Sequence, residues 1–439
     1  MNRMKQTITK RSAVVLAGIV CLAAAAWGQE PGPSEKLSLK QAVALAVRNS
    51  RELALARLQQ TMAEQAAEVG RADFRPNLFA GSGAGYTFGI PQTPGGSAPS
   101  IFNVVYVQTL LNPPLRGQLR AAQEHARGQQ FEVERTRDAV IVRAASAYLE
   151  LAKVRHALEL LRKERTSAQK IADVTRERSA AGFELPLEVT RAQLASARIE
   201  QRIAQLEGQE EALEGEMRNS MAIPADERIE VAAEELPAVP EPPVAELLDL
   251  ALANNPELKL AEAERRAREH RLKGERGGYI PTLDLGGQYS LLSRVNNFDE
   301  FFRRFQRHNV NVGVQVRFPL FSARTSAAVA LARTDLNAAE LALKAKRRAL
   351  EIEVRRQARR SRELDAAREV ARLELQLAQE SLRVLQSQFQ EGRASLRDLE
   401  KSRLAESDTW LAFLEADYER QKVQLEVLRS TGQLARLLR

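Results

Sequence analysis

The sequence predicts a mainly α-helical chain with a small membrane β part, built from duplicated helix–strand–strand–long helix–helix units. Three observations carry that prediction. Pro319 and Gly392 bracket 72 residues without a Gly or Pro, and a helix of that length, at 1.5 Å per residue, spans about 100 Å. A mean globular helix has only roughly 11–12 residues. Short segments between the helical stretches switch to a period of two, the signature of strands. The same order of elements then occurs a second time along the chain.

Taken in order, the chain begins with a basic segment, Met1 to Arg11, a largely apolar run from Ser12 to Ala26, and small residues at Ala26 and Gly28. That is the layout of a secretory signal peptide cut before Gln29, and the run is too short for a membrane anchor of about 20 apolar residues. Residues 1–28 are expected to be removed, and with them Cys21, the only cysteine. It follows Val20, where a lipoprotein signal wants a small residue. The segment also takes four of the 65 basic residues and no acid, so the formal charge of +8 falls to +4. The remaining charges are interspersed, as on solvated helix faces, and no nucleic-acid partner is indicated. No second run of 18 apolar residues follows. An exported chain of this kind is expected in the periplasm, outside the cell, or in the outer membrane as a β-barrel.

The duplication is visible at Asn49-Ser50-Arg51-Glu52-Leu53 and Asn254-Asn255-Pro256-Glu257-Leu258, 205 residues apart. The same offset places Pro76 on Pro281, and 11 of the 39 positions from Lys40 to Leu78 are identical. Further along, an offset of 210 pairs Gly182 with Gly392, Glu188 with Asp398 and Leu194 with Leu404. The expected organisation is a first repeat over 29–236, a Pro-rich linker over 237–243 that cannot continue a helix, and a second repeat over 244–439.

Within the second long helix Leu375, Ala378, Leu382, Leu385 and Phe389 step by three and four. Leu411, Leu414, Tyr418, Leu425 and Leu428 continue that register after Gly392, interrupted by Gln421. This is a coiled-coil seam, so an antiparallel hairpin with Gly392 at its tip is expected. The first half repeats it with Gly182-Phe183-Glu184-Leu185-Pro186. From Asn309 to Leu320, Val310, Val312, Val314, Val316, Phe318 and Leu320 share one face, while Asn309, Asn311, Gly313, Gln315 and Arg317 share the other. Tyr279 to Ser293 alternates likewise. Leu78 to Phe88 and Ile101 to Leu111 are weaker examples. An apolar face over about 10 residues suits a tilted strand between lipid and a wet lumen, with Val310, Val312, Val314 and Val316 facing lipid. A soluble sheet packed on helices would show the same alternation.

The strand count separates the two. Four strands cannot close a barrel, and lipid tolerates no open edge, because each unpaired backbone group costs several kcal/mol there. A four-strand chain in a membrane must share its barrel with copies of itself, and helices of about 100 Å would then project as a tube. A tube continuous with a pore is a conduit. A periplasmic coiled-coil adaptor shares the signal and the helical hairpin but usually carries one hairpin with a compact β-rich segment, which two duplicated hairpins with paired strands fit poorly. A structural envelope protein needs no strands with a lipid-like face.

The sequence resembles the TolC-like outer membrane efflux protein family. The matching pieces are Leu37-Ser38-Leu39-Lys40-Gln41-Ala42, the Asn49 and Asn254 signatures, and the strand starts Arg75-Pro76-Asn77-Leu78 and Ile280-Pro281-Thr282-Leu283. The most specific is Phe389-Gln390-Glu391-Gly392-Arg393-Ala394-Ser395-Leu396-Arg397-Asp398-Leu399. The resemblance implies a homotrimer with a 12-stranded β-barrel, continuous with an α-helical coiled-coil tunnel across the periplasm. It implies an exit channel for efflux or type I secretion, opened when an inner-membrane transporter and its adaptor dock. Hairpin-tip residues Gly182, Leu185, Gly392 and Leu396 are then the expected adaptor contacts. Asp398 stands where the family often carries an acidic ring at the tunnel entrance, with Glu188 as its first-half counterpart. The family's second acid is replaced by Lys401, and by Arg191 in the first half. Phe389 takes the place of an aromatic hydroxyl that helps to lock the closed state.

No catalytic constellation accompanies these features. His125, His156, His270 and His308 are dispersed, without metal-ligand spacing. Gly81-Ser82-Gly83-Ala84-Gly85 lacks the sixth-position glycine and the following helix start of a phosphate loop. No enzyme activity and no cofactor are expected. Asn296-Asn297-Phe298-Asp299-Glu300-Phe301-Phe302 reads as a membrane-edge anchor, an extracellular gate or an ordinary exposed loop.

Overall fold

A computed structural model describes residues 37–82, 100–224, 229–232, 242–292 and 306–437. The expected signal segment 1–28, most of the Pro-rich linker, the later part of the Leu78–Phe88 strand and the Asn296–Phe302 loop lie outside them. The chain packs as two units, one of Met1–Leu45 with Ala147–Glu235 and one of Ala46–Ser146 with Leu236–Arg439.

The elements follow the duplicated order. The first copy consists of α1 (Leu39–Asn49), α2 (Arg51–Ala72), β1 (Asn77–Gly81), β2 (Ser100–Leu111), α3 (Pro113–Ala180) and α4 (Pro186–Met221). The second consists of α5 (Val244–Asn254), α6 (Pro256–Arg276), β3 (Thr282–Leu292), β4 (His308–Arg317), α7 (Ala323–Gln390) and α8 (Leu396–Ser430), followed by the short α9 (Leu434–Leu437). The long helices α3 and α7 have 68 residues each and span about 100 Å. The offset that pairs Gly182 with Gly392 carries both ends of α3 onto the ends of α7. The offset that pairs Asn49 with Asn254 does the same for α1 and α5.

The repeated Asn signatures are helix breaks. Ser50 caps α2 by accepting from the Leu53 amide at 3.2 Å. Asn255 caps α6 by accepting from the Glu257 and Leu258 amides at 3.0 and 3.1 Å. Each cap satisfies amides left open by the first helical turn. The long helices start alike: the Asn112 side chain accepts from the Leu115 amide at 3.2 Å, and Ser322 from the Thr325 amide at 3.1 Å. That cap makes α7 start at Ala323, later than the Gly- and Pro-free run. The strands are also trimmed at their ends. Gly277–Tyr279 forms a 3₁₀ turn, so β3 starts at Thr282 rather than Tyr279. β4 stops at Arg317, just before Phe318 and Pro319, and a proline has no N–H to give a ladder.

In the second unit, α8 runs back along α7. Leu375, Tyr418, Leu425 and Leu428 of the expected seam are buried. Gln421, the interruption, is buried with them and donates to Asp417 at 2.6 Å. Phe389 lies beyond the buried stretch and is exposed. Ion pairs tie the two helices together through Arg368–Asp417 and Arg420–Asp365. α5 packs on α7 through Leu247, Ala251, Val354 and Ala358. In the first unit, α3 and α4 are joined by Arg155 with Glu210 and Glu214 at 2.8 and 2.5 Å, and by Arg162 with Glu207 at 2.9 Å. Leu37 makes an isolated parallel bridge with Val231.

Candidate membrane sheet and hairpin tips

The four strands form one antiparallel sheet in the order β1-β2-β3-β4, within the second unit. The pairing places β2 against β3, so the sheet joins strands from both repeats. Register decides whether the separate period-two patterns add up, since a one-residue slip would turn every side chain of a strand to the other face. They do add up. Val310 is paired with Tyr289, Tyr289 with Val104 and Val104 with Ala80. Val312, Gly287, Tyr106 and Leu78 form the next row of that face, followed by Val314, Leu285 and Gln108. The opposite face carries rows such as Asn309, Ser290, Asn103 and Gln315, Asp284, Thr109. On β3 and β4 one face is thus apolar and the other polar; on β1 and β2 the contrast is weaker, since Gln108 stands on the first face and Phe79, Val105 and Val107 on the second.

Every residue of β1 and β4 is exposed. Val310, Val312 and Val314 keep 70%, 73% and 58% of their surface, and Val316 is exposed too. A sheet in water buries its apolar face against another layer. This one has such a face, and β4 leaves its share of it uncovered in the single chain. Among the described residues, its first and last strands each have a free edge. Among the described residues, no helix is long and apolar enough to cross a membrane.

Where strands become helices, backbones approach closely. A Cβ on Gly117 of α3 would lie 2.4 Å from the Gly274 Cα of α6, and one on Gly277 would lie 2.4 Å from the Pro113 Cβ. Only glycine allows that approach. Below this crossing Glu124, which is buried, accepts from Arg266 at 2.8 Å and Arg127 at 2.5 Å. Burial opposes its ionisation, and the two guanidiniums outweigh that, lowering its pKa.

At the other end of the long helices, both tips are built the same way. Gly182 (φ +78°) and Gly392 (φ +73°) are left-handed. After the first, the Phe183 amide donates to the Arg178 carbonyl at 2.8 Å. After the second, the Arg393 amide donates to the Gln388 carbonyl at 2.8 Å. This closure of a helix end needs a left-handed residue, hence glycine. Leu185 is the N-cap of α4 and has no side-chain bond to give, with Pro186 opening the helix. Leu396 opens α8 behind a full capping box, in which the Ser395 side chain accepts from the Asp398 amide and Asp398 accepts from the Ser395 amide.

The gate candidates divide accordingly. Asp398 also accepts from the Ser395 hydroxyl at 2.6 Å. The Ser395 side chain, then its backbone amide, and then the charges of Arg397 and Lys401 hold its pKa below the usual carboxylate value. Glu188 instead takes Arg191 at 2.6 Å on its own helix. Lys401 is exposed one turn after Asp398, and Phe389 is exposed on the last turn of α7. The first tip adds something the expected residue set omitted. Phe183 and Leu187 are 76% and 55% exposed beside Leu185 at 66%, an apolar cap on a highly charged hairpin. The available signal was three apolar side chains close behind Gly182.

The model of the outer membrane efflux protein family matches residues 42–220 and again 247–433. Comparison with curated protein sequences gives no match. Solved structures of similar fold include the CmeC outer membrane channel of Campylobacter jejuni, at a TM-score of 0.76 and 15% identity, covering 93% of this chain and 90% of that one. The outer membrane protein VceC of Vibrio cholerae matches with a TM-score of 0.73 and 15% identity over 90% and 96% of the two chains. The open-state MtrE channel of Neisseria gonorrhoeae matches with 0.72 and 16% over 90% and 89%. With the family's unit found twice over most of its length, the chain belongs to the outer membrane efflux protein family, and it is an outer-membrane exit channel with a large periplasmic helical portion.

Proposed function

We propose that three copies of this chain close a 12-stranded barrel, and that the long hairpins continue it as a tunnel through which cargo leaves the periplasm. One observation carries this reading: a four-stranded sheet with an apolar face and two free edges, at β1 and β4. Neither edge can be left open in lipid, and pairing β4 of one copy with β1 of the next removes all of them at once. A closed rotation of this kind needs no second interface type. Outer membrane efflux channels work in tripartite systems with an adaptor and an inner-membrane transporter. In our reading the adaptor meets the hairpin tips at Gly182, Leu185, Gly392 and Leu396. The exposed Phe183 and Leu187 give it an apolar patch to bury. Asp398 supplies a ring of negative charge at the tunnel entrance, tempered by Lys401. At the first tip Glu188 and Arg191 cancel each other, and Phe389 offers no hydrogen bond.

The test is native mass spectrometry of the purified protein in mild detergent. Trimer is expected with no folded, membrane-inserted monomer. A stable inserted monomer would contradict the shared barrel.

A further inference from the structure

The two repeats fill equivalent places unequally. In the first unit, Tyr148 and Leu151 of α3 are both 0% exposed. The Tyr148 hydroxyl lies 2.8 Å from the Leu37 carbonyl oxygen and 2.6 Å from that of Ala232. It thereby holds together the two segments joined by the Leu37–Val231 bridge. The offsets that superimpose the helix ends carry Tyr148 to Ala358, Leu151 to Ser361 and Leu37 to Pro242. A phenol ring and an isobutyl group in one repeat are therefore a methyl and a hydroxymethyl group in the other.

The surroundings compensate in part. Ala42 of the first repeat becomes the larger Leu247, whereas Met217 becomes the smaller Val427. What remains in the second unit is a cavity of about 320 Å³, whose lining includes Pro242, Leu247, Ala358, Ser361 and Val427. Large-to-small changes in a close-packed interior leave such space because neighbours relax only partly. Its lining is mixed, with Ser361, Arg362, Gln424 and Gln433 among the apolar side chains, which suits a guest with an aromatic body and a polar tip, and the volume lies within the range of small-molecule sites.

We propose that this cavity is a binding site for small para-substituted phenols. The guest's ring occupies the place that Tyr148 fills in the first repeat, and its hydroxyl donates to the Pro242 carbonyl, the counterpart of Leu37. Arg362, exposed on the lining, disfavours aromatic amines carrying positive charge. The ligand class is thus read from the protein itself, since one repeat carries covalently what the other lacks.

The experiment uses the full chain in mild detergent with p-cresol, which is the tyrosine side chain as a free molecule. Binding is read by ligand-observed saturation-transfer NMR and by the thermal midpoint. The wild type should give a saturable response and a raised midpoint, with toluene binding several-fold more weakly. Ala358→Tyr should raise the midpoint unaided and weaken the p-cresol response at least tenfold. Ser361→Leu, which restores the other lost side chain, should do the same and decides the matter if Ala358→Tyr does not fold. An equal p-cresol response in wild type and variants overturns the proposal, because binding is then elsewhere. No response in wild type also overturns it. If both variants then lower the midpoint, the space is already taken by a second copy of the chain.

Discussion

Asp398 is held in place by the start of its own helix, and that bears on its use as a gate. Hydrogen bonds from the Ser395 hydroxyl and amide keep the carboxylate ionised, so a ring built from it would stay negative across periplasmic pH. Three such charges around an axis favour cations. In planar bilayers, Asp398→Asn should reduce cation preference and Asp398→Lys should reverse it. Ser395→Ala should cost about 1 kcal/mol of stability and leave selectivity in place. If Asp398→Asn shifts only stability, the residue is a cap and no gate. Asp138 is the opposite case. As a charged residue inside a long helix it reads as part of a solvated face, yet it is 5% exposed, its Oδ1 has no hydrogen-bond partner among the described residues, and Arg137 is 3.9 Å away. Burial pushes its pKa up to about 6 against the pull of Arg137, while Glu134 raises it and Arg429 lowers it. With the folded value above the unfolded one, the cost of ionisation is full above pH 6 and fades as pH falls toward 4. Asp138→Asn should therefore stabilise by about 1–3 kcal/mol at pH 7.5 and by no more than about 0.5 kcal/mol at pH 4, in thermal melts at the two pH values.

The reversals at Gly182 and Gly392 were readable because a left-handed closure is fixed locally by glycine; the caps Asn112, Ser322, Ser50 and Asn255 were not, since such residues are as common on exposed helix faces as at helix starts. What joins the helices was not readable, since an arginine three or four residues from a glutamate also finds partners on its own helix, as Arg372 does with Glu369. One such joint is informative. Arg155 on the first long helix pairs with Glu210 on its return helix, at 2.8 Å. The equivalent positions of the second repeat hold Asp365 and Arg420, paired at 2.5 Å with the signs exchanged. A long helix mispaired with the other repeat's return helix would set Arg155 against Arg420 and Asp365 against Glu210. Like charges so placed are a device against the wrong partner. Asp365→Arg and Arg420→Glu, each alone, should lower the thermal midpoint. Together they should recover most of that loss, with a coupling of about 0.5–1 kcal/mol. The double variant should nevertheless give less assembled protein on refolding than the wild type, because its two hairpins then have the same polarity. Equal refolding yields would show that the exchange has no part in pairing.

For the whole molecule, the question is what covers the apolar face of the sheet. Alternation in β4 was plain in the sequence, but alternation cannot say which strands share a face. That needed the register in which Val312 meets Gly287, Gly287 meets Tyr106 and Tyr106 meets Leu78. The strand expected from Leu78 to Phe88 is the least legible for the same reason, since Gly81, Gly83 and Gly85 in its sequence are too small to mark a face. With the register known, lipid and water make opposite demands on neighbouring residues of one strand. Val314 lies on the apolar face opposite Leu285, and Gln315 on the polar face opposite Asp284. Arginine on a lipid-facing position near the bilayer midplane costs about 2–4 kcal/mol, while a lumen-facing position changes selectivity rather than stability. Val314→Arg should therefore reduce the heat-modifiable, folded form in the outer membrane. Gln315→Arg, at the next residue and also exposed in the single chain, should leave that form at wild-type level. The comparison controls for strand propensity and net charge, because both variants add the same side chain to the same strand. If the two behave alike, the apolar face of the sheet meets something other than lipid, and the barrel reading fails with it.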